Sequence, residues 1–263
     1  MTENKINVLV ITVCAALLFL MIGMIGTASA ALTIAANNDR LKIDFFYHGS
    51  TLTFTGVSDQ GTDLIIKIAA PGGHQLLRKK GKVAGVLWMN VGELKFDHVP
   101  SLYSLHSTKK ISDILSGEEQ ARHLIGYESL GKQTDIQPVA NESDKTKWFD
   151  EFVKYKKASK LFAESEGDIS LRVNAGEQHY YVSSPWPYQA APGEYFVTVY
   201  AVKDKKVVAT ADTKVLVEQA GLVKSFASMA KNSAALYGVI SIAAALVAGF
   251  GVGLIFRRGG GAH

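Results

Sequence analysis

Four residues near the middle of the chain have the side chains that hydrolases and metal sites use. Asp97 and His98 are adjacent, and Ser104 and His106 follow shortly after them. A nucleophile and its base must lie within hydrogen-bond reach of each other. Neighbouring residues on a regular strand point to opposite faces, so Asp97 and His98 would not share a site there. We interpret them as polar residues at the end of a strand that stops before Pro100.

The remaining motifs of catalysis are also missing from the sequence. It contains no G-x-S-x-G elbow, no phosphate-binding loop and no H-E-x-x-H pair. The sequence therefore predicts no catalytic residue, no metal site and no cofactor, and we expect a protein that is not an enzyme.

A basic run precedes an apolar segment and gives the first candidate binding site. Its candidate anion contacts are Arg78, Lys79, Lys80 and Lys82. The alternative is a solvated turn over 78–82 that leads into a strand from Val83 to Met89, with Trp88 toward the core. We favour the turn and strand and keep an anion contact as the open alternative.

A proline-rich loop gives the second candidate site. Trp186 and Tyr188 are each preceded by a proline, in the sequence Ser184-Pro185-Trp186-Pro187-Tyr188. Held in a loop, the two aromatic side chains would suit a glycan or a protein surface. The interpretation that we favour is that Trp186 instead closes one end of a β-sandwich.

Charge and cysteine content exclude several classes of function. The chain has 28 basic and 24 acidic residues, a formal net charge of +4, which is too small for a nucleic-acid surface. Its one cysteine, Cys14, lies in the first apolar segment. The part after residue 30 therefore has no disulfide and no thiolate nucleophile, so an apolar core must hold it together.

The two apolar ends predict the topology. Residues 1–30 have a short charged start, an apolar stretch and an Ala-Ser-Ala end, which predicts a signal peptide cut after Ala30, with an uncleaved anchor as the alternative. Residues 234–256 carry no charge and suit a membrane helix. Arg257 and Arg258 follow, so residues 257–263 are predicted to be a cytoplasmic tail. We expect a single-pass inner-membrane protein with its bulk in the periplasm.

Between these ends the sequence predicts a mainly β fold. Residues 31–219 contain short alternating segments separated by turn residues, which is typical of an immunoglobulin-like β-sandwich. A helical insertion is expected at about 110–165, with one amphipathic helix from Thr146 to Glu164. The alternative is two small β-domains.

The juxtamembrane segment and the membrane span predict that the protein assembles with a partner. Residues 220–233 form an amphipathic juxtamembrane stretch. Within the span, small residues four apart predict a helix-packing face; they are Ser241, Ala245, Gly249 and Gly253. The partner on this face would be another copy of the chain or a different integral membrane protein.

Several stretches together resemble a known family. They are the basic run with its Trp-x-Asn segment, "FDHVPSLYSLHS" (Phe96 to Ser107), "ARHLIG" (Ala121 to Gly126), "KLFAE" (Lys160 to Glu164), "APGEYFVTVYAVKDKKVVA" (Ala191 to Ala209) and the closing Phe-Arg-Arg. In this order they resemble a family of bacterial transmembrane proteins first grouped from alphaproteobacteria. The resemblance implies an exported domain on one C-terminal membrane helix, often encoded near permeases similar to sulfite and organosulfonate exporters. It implies no catalytic residue.

The topology, the small-residue face and the resemblance lead to one expected function. We expect a membrane-anchored periplasmic accessory or assembly partner of an integral membrane protein such as an anion exporter of the sulfite or sulfonate type. The alternative is a periplasmic module that binds a small anion or a glycan.

Overall fold

The structure is a computed structural model that describes residues 31–44, 47, 49–174 and 176–257. The signal peptide expected over residues 1–30 lies outside the described residues. So does the predicted cytoplasmic tail, except for Arg257.

Thirteen strands account for most of the described domain. They are β1 (Ala35–Ala36), β2 (Arg40–Ile43), β3 (Ser50–Asp59), β4 (Asp63–Ala69), β5 (Gly72–Val83), β6 (Leu87–Pro100), β7 (Tyr103–Ser107), β8 (Asp135–Gln137), β9 (Phe162–Glu166), β10 (Ser170–Asn174), β11 (Glu177–Trp186), β12 (Gly193–Lys203) and β13 (Lys206–Gln219). The described helices are α1 (Ile111–Ile114), α2 (Gly117–His123), α3 (Tyr127–Gln133), α4 (Glu142–Ala158), α5 (Gly221–Asn232) and α6 (Ala234–Arg257).

The strands form three sheets. Their orders are β1-β3-β11-β10, β2-β13-β12-β4-β7-β9 and β5-β6-β8. The six-stranded sheet is central, because it combines β2, β4 and β7 from the first β-rich part with β9, β12 and β13 from the second. The expected mainly β fold is confirmed, whereas the immunoglobulin-like detail stays a prediction.

Each face of the central sheet is covered by a different layer. Alternate residues on β4 show this: Ile66 and Ile68 pack with β3 and β11 in one core, whereas Ile65 packs with helices α1, α3 and α4 and with β6 in another. The two-residue period of a strand sends neighbouring side chains to opposite faces, so one strand serves both cores. The result is two cores on one sheet.

The hairpin β5–β6 corrects the prediction for the basic run. The expected turn at 78–82 and the single strand from Val83 to Met89 are both wrong: the run lies in β5, and the turn falls after Val83. Ala84 and Gly85 have φ of 50° and 76°. Two consecutive residues with positive φ make a tight hairpin turn with the right twist, for which glycine is well suited. The alanine–glycine pair, rather than the lysines, therefore sets the turn.

Helix α4 corrects the predicted Thr146–Glu164 helix. It begins four residues earlier, where Asn141 Oδ1 accepts a hydrogen bond of 2.8 Å from the Asp144 amide, and it ends at Ala158. Lys160 has φ of 56°, which breaks the helical path. Phe162 is therefore the first residue of β9, although the sequence analysis placed it on the predicted helix.

Helix α6 is the candidate membrane span. Residues 234–253 have a mean hydropathy of 2.1, and none of that window is buried in the described chain. The length and composition suit a single crossing of the hydrocarbon layer.

Candidate functional site

A serine, a histidine and an aspartate are joined by hydrogen bonds between the two largest sheets. His106 Nδ1 lies 2.5 Å from Asp168 Oδ2, and His106 Nε2 lies 3.0 Å from Ser184 Oγ. The His106 side chain is only 3% exposed and the Asp168 side chain 32%, so the imidazole lies inside while the carboxylate reaches the edge. This order of contacts is the one that serine hydrolases use.

The strands explain why these side chains meet. On β7, Tyr103 and Leu105 pack on the helical side, so Ser104 and His106 point the other way, toward β11. Ser184 is one of the buried alternate residues of β11. Asp168 follows β9, which runs parallel to β7, and the Gly167 amide donates to the Ser107 carbonyl.

The aspartate determines which nitrogen of the ring accepts a proton. An Asp168 carboxylate accepts from Nδ1–H, which leaves Nε2 of a neutral imidazole as an acceptor. Ser184 then donates its hydroxyl hydrogen to Nε2. Ser104 Oγ lies 3.3 Å from the same nitrogen, so two hydroxyls compete for it.

The hydroxyls open on a cavity of about 750 Å³. Its walls bring Ser104, His106 and Ser184 together with apolar side chains such as Leu161 and Trp186, and with further polar residues that include Lys160 and Tyr188. A cavity of this size, whose walls combine apolar side chains with converging polar groups, is the usual form of a small-molecule site.

The four candidate residues of the sequence analysis do not lie together in one site. His106 and Ser104 belong to the site, but Asp97 does not: it contacts His74, and its other oxygen lies 2.9 Å from Lys95 Nζ. His98 pairs with Asp135 at 3.4 Å. Hydrogen bonds from His74 and then Lys95 lower the pKa of Asp97. No group of three metal-ligating side chains occurs within the described ranges.

Sequence reasoning missed Asp168 and Ser184. Both are far from His106 in the sequence. Asp168 follows Gly167 after β9, and Ser184 lies near the end of β11. The available signal was the alternation of β11, which predicts that Ser184 points inward together with Val182 and Trp186.

Trp186 is buried and Tyr188 is not. Trp186 is 3% exposed, and its ring meets the Tyr195 ring edge-on at 4.8 Å. The hypothesis that both aromatics are displayed in a loop is therefore wrong for Trp186. Tyr188 is 64% exposed at the cavity rim.

The four basic residues do not share a face of the hairpin. Lys79 lies on the less exposed face of β5, where its Nζ is 4.8 Å from the Trp148 ring centre. Arg78, Lys80 and Lys82 lie on the other face, and Arg78 pairs with Glu93 at 3.5 Å. The candidate anion contacts are thus divided between two surfaces.

The end of this hairpin is apolar and exposed. We call it the hairpin tip; its exposed apolar residues are Val83, Val86, Leu87, Trp88, Met89 and Val91. Trp88 was expected to face the core and is 64% exposed instead, with Lys82 Nζ 5.5 Å from its ring centre. The reason is that β6 meets β8 only over residues 95–97, so among the described residues the outer part of the hairpin is paired only with itself.

One lysine is buried beside the helical layer, and a second is half-buried there. Lys156 Nζ donates to the Ser101 carbonyl at 3.2 Å, and Lys67 Nζ donates to the His123 carbonyl at 2.6 Å. Burial lowers the pKa of each to about 8, against a small opposing effect of Asp212 on Lys67. Neither lysine reaches the serine–histidine–aspartate cluster.

The predicted helix-packing face lies on α6. Ser241, Ala245, Gly249 and Gly253 are exposed. Nothing in the described chain lies near Gly249 or Gly253 where a Cβ would project. None of residues 234–253 is buried in the described chain, so the small residues line one side of a helix that is uncovered all round.

Comparison with known proteins supports the candidate membrane helix and the family resemblance. No curated protein matches the chain. A family described as "Putative transmembrane protein (Alph_Pro_TM)" matches residues 31–258. That match extends from the start of the β domain through the candidate span, so the expected family is confirmed and the chain is a membrane protein. It belongs to this transmembrane family.

Proposed function

We propose that the protein is a membrane-anchored accessory protein whose periplasmic domain docks on an integral membrane partner, an anion exporter of the sulfite or sulfonate type. The observation that carries the proposal is the hairpin tip. Docking needs no catalytic group, and the sequence predicts no enzyme motif for it.

The hairpin tip is costly to leave in water. Burial of apolar surface contributes roughly 25 cal/mol per Å², so an exposed cluster that includes a tryptophan gains stability when a partner covers it. Tryptophan and methionine are also enriched at protein interfaces. Trp88 and Leu87 are 64% and 59% exposed, which makes them the anchors of this surface.

The charge around the hairpin tip indicates the partner's chemistry. Lys80 and Lys82 lie on the exposed face of β5, next to the apolar end. Complementary charge raises the rate and specificity of association. The partner surface that fits is therefore apolar with an acidic rim, on the extracytoplasmic side of a membrane protein.

The membrane helix supplies a second contact in this proposal. Small residues allow close approach of another helix within the bilayer. Two attachment sites on one partner raise the effective concentration of each, so a weak hairpin contact suffices.

Site-specific photo-crosslinking in native membranes tests the docking. A photoreactive amino acid at Leu87 is expected to join the chain to one integral membrane protein, and the double change Lys80→Glu, Lys82→Glu weakens that crosslink. The same amino acid at Val208, which is 55% exposed on β13, is the matched control and gives no such product. Equal crosslinking at both positions, or crosslinks only to lipid, would contradict the proposal.

A second candidate function is binding of a small anion or a glycan. The observation that favours it is the cavity, with Tyr188 and Lys160 at its edge and hydroxyls inside. Calorimetry of the full chain in detergent with sulfite, sulfonates and oligosaccharides tests it. Heat that disappears in Tyr188→Ala supports binding at this place, and no heat at millimolar ligand excludes it.

A further inference from the structure

We propose that Ser184, His106 and Asp168 form a nucleophilic site that hydrolyses small carboxylic esters in the cavity between the sheets. This activity is separate from the docking function, because neither the hairpin tip nor the membrane helix contributes to the cavity lining. It also goes beyond ligand binding, since it requires a covalent step at Ser184.

The cluster has the two contacts that activate a serine. Ser184 Oγ lies 3.0 Å from His106 Nε2, within the reach required of a nucleophile and its base. Asp168 contacts the opposite ring nitrogen and holds the tautomer in which Nε2 accepts a proton. Asp168 touches no substrate and is therefore a positioning residue.

The reaction follows from these contacts. Ser184 Oγ attacks the ester carbonyl carbon while its proton passes to His106 Nε2. The tetrahedral intermediate expels the alcohol, which takes that proton and leaves an ester of Ser184. Water then attacks the acyl carbon and gives a proton to Nε2; the acid is released, and the proton returns to Ser184 Oγ. The net change is ester plus water to acid plus alcohol, without an oxidant or reductant.

Ser104 supplies a second hydroxyl at the reacting centre. Its Oγ lies 3.3 Å from His106 Nε2, on the same side of the ring as Ser184. Once the histidine is protonated it no longer accepts from Ser104, and that hydroxyl is released to donate to the developing oxyanion. Side-chain hydroxyls serve this purpose in other oxyanion sites.

The cavity limits the substrate to a small ester. Its walls at Ile68, Leu102, Leu161 and Trp186 are apolar, which suits a short acyl chain. The volume of about 750 Å³ accommodates a small molecule and not a folded protein.

Covalent labelling of the full chain in mild detergent tests the nucleophile directly. The probe is an alkyl fluorophosphonate, and tryptic mass spectrometry locates the adduct. We expect one adduct, on Ser184, that is lost in His106→Ala and absent from denatured protein. Ser183→Ala, at the neighbouring residue on the exposed face of β11 and outside the cavity lining, labels as the native protein does and is the matched control.

Turnover separates catalysis from accidental reactivity. With p-nitrophenyl acetate and butyrate, Ser184→Ala and His106→Ala are expected to abolish hydrolysis, and Asp168→Asn to lower kcat by at least about 100-fold. Asp168→Glu keeps a carboxylate and is expected to recover part of the rate, which a merely structural residue would not. Circular dichroism verifies that each variant is folded.

Two results would overturn the esterase. One is a folded native protein with no fluorophosphonate adduct on Ser184. The other is an ester hydrolysis rate that is equal in the native protein and in Ser184→Ala. Neither result affects the docking experiment at Leu87, so the two proposals fail independently.

Discussion

Lys156 shows at the residue scale how the helical layer constrains the charge of a side chain. It is 4% exposed on the buried face of α4, and its Nζ has one carbonyl partner and two aromatic rings nearby, those of Phe152 and Phe162. Burial removes water from the ammonium and lowers its pKa from 10.5 to about 8. The unfolded chain therefore holds this proton to a higher pH than the folded chain does.

This difference predicts a rise in stability with pH. Between about pH 8 and 10.5 the unfolded state binds more protons at Lys156, so the free energy of unfolding increases with pH. Lys156→Met is expected to reduce that increase by about 1–2 kcal/mol between pH 8 and 9.5. Urea unfolding of the full chain in detergent measures it, below the range in which the tyrosines titrate.

Lys147→Met is the control for this change, because Lys147 is an exposed lysine on the same helix. Its pH slope is expected to match that of the native protein. If Lys156→Met keeps the full slope between pH 8 and 9.5, the ammonium is not buried as described.

The site could be predicted from the sequence only in part. His106 and Ser104 were candidates because they are close in sequence, and the sequence assigned them Asp97, which in the structure contacts His74 and Lys95. The actual partners come from β11 and the end of β9. Which strands become neighbours depends on the packing of whole sheets, and spacing along the chain carries no information about it.

At the scale of the element, the hairpin β5–β6 depends on its turn. Gly85 has φ of 76° and no atom near its potential Cβ, so a side chain there is limited only by the backbone. Gly85→Ala is expected to destabilise the left-handed turn by about 1 kcal/mol. Limited proteolysis at Lys82, compared with the native protein, detects the loosened hairpin as faster cleavage.

Gly73→Ala is the matched control for Gly85→Ala. Gly73 lies in β5 of the same hairpin, also with open space at its Cβ, but outside the positive-φ region. We expect its cleavage rate to be unchanged. Equal rates in all three proteins would show that the turn does not limit the hairpin.

Helices and strands were predicted well where the spacing of apolar residues stayed the same, and poorly where that spacing changed. The alternation in β11 and the aromatic spacing in α4 were both visible. The end of α4 was not, because Leu161 and Phe162 continue the series of apolar residues as well as they begin a strand. The positive φ of Lys160 decides between them, and a lysine gives no signal of it.

At the scale of the whole molecule, the small-residue side of α6 is the second contact that we propose with a membrane partner. Gly249→Leu with Gly253→Leu fills that side and is expected to prevent close helix approach. In mild detergent, the membrane protein crosslinked at Leu87 should then no longer co-purify.

Ala243→Leu with Ala244→Leu adds similar bulk on the opposite side of the helix and is the control. It should leave co-purification unchanged. If the glycine variants retain the partner as well as the control does, the small-residue side is not the interface.

The sequence predicted the fold class but not the layered arrangement of the sheets. Short alternating strands predicted a mainly β fold, and the apolar end predicted the anchor. The central sheet could not be derived, because β4 and β12 contribute to two cores and therefore resemble continuous apolar strands.

The position of β13 in the central sheet has a consequence for the order of folding. It pairs in parallel with β2, from Leu216 beside Arg40 to Gln219 beside Ile43. Strand β2 can therefore pair only when β13 is available. Contacts between residues so distant along the chain form slowly. Residues 40–43 have no neighbour in the central sheet until the segment just before the membrane helix has been synthesised. The domain can therefore be completed only after β13, which lies shortly before the membrane helix, has been synthesised.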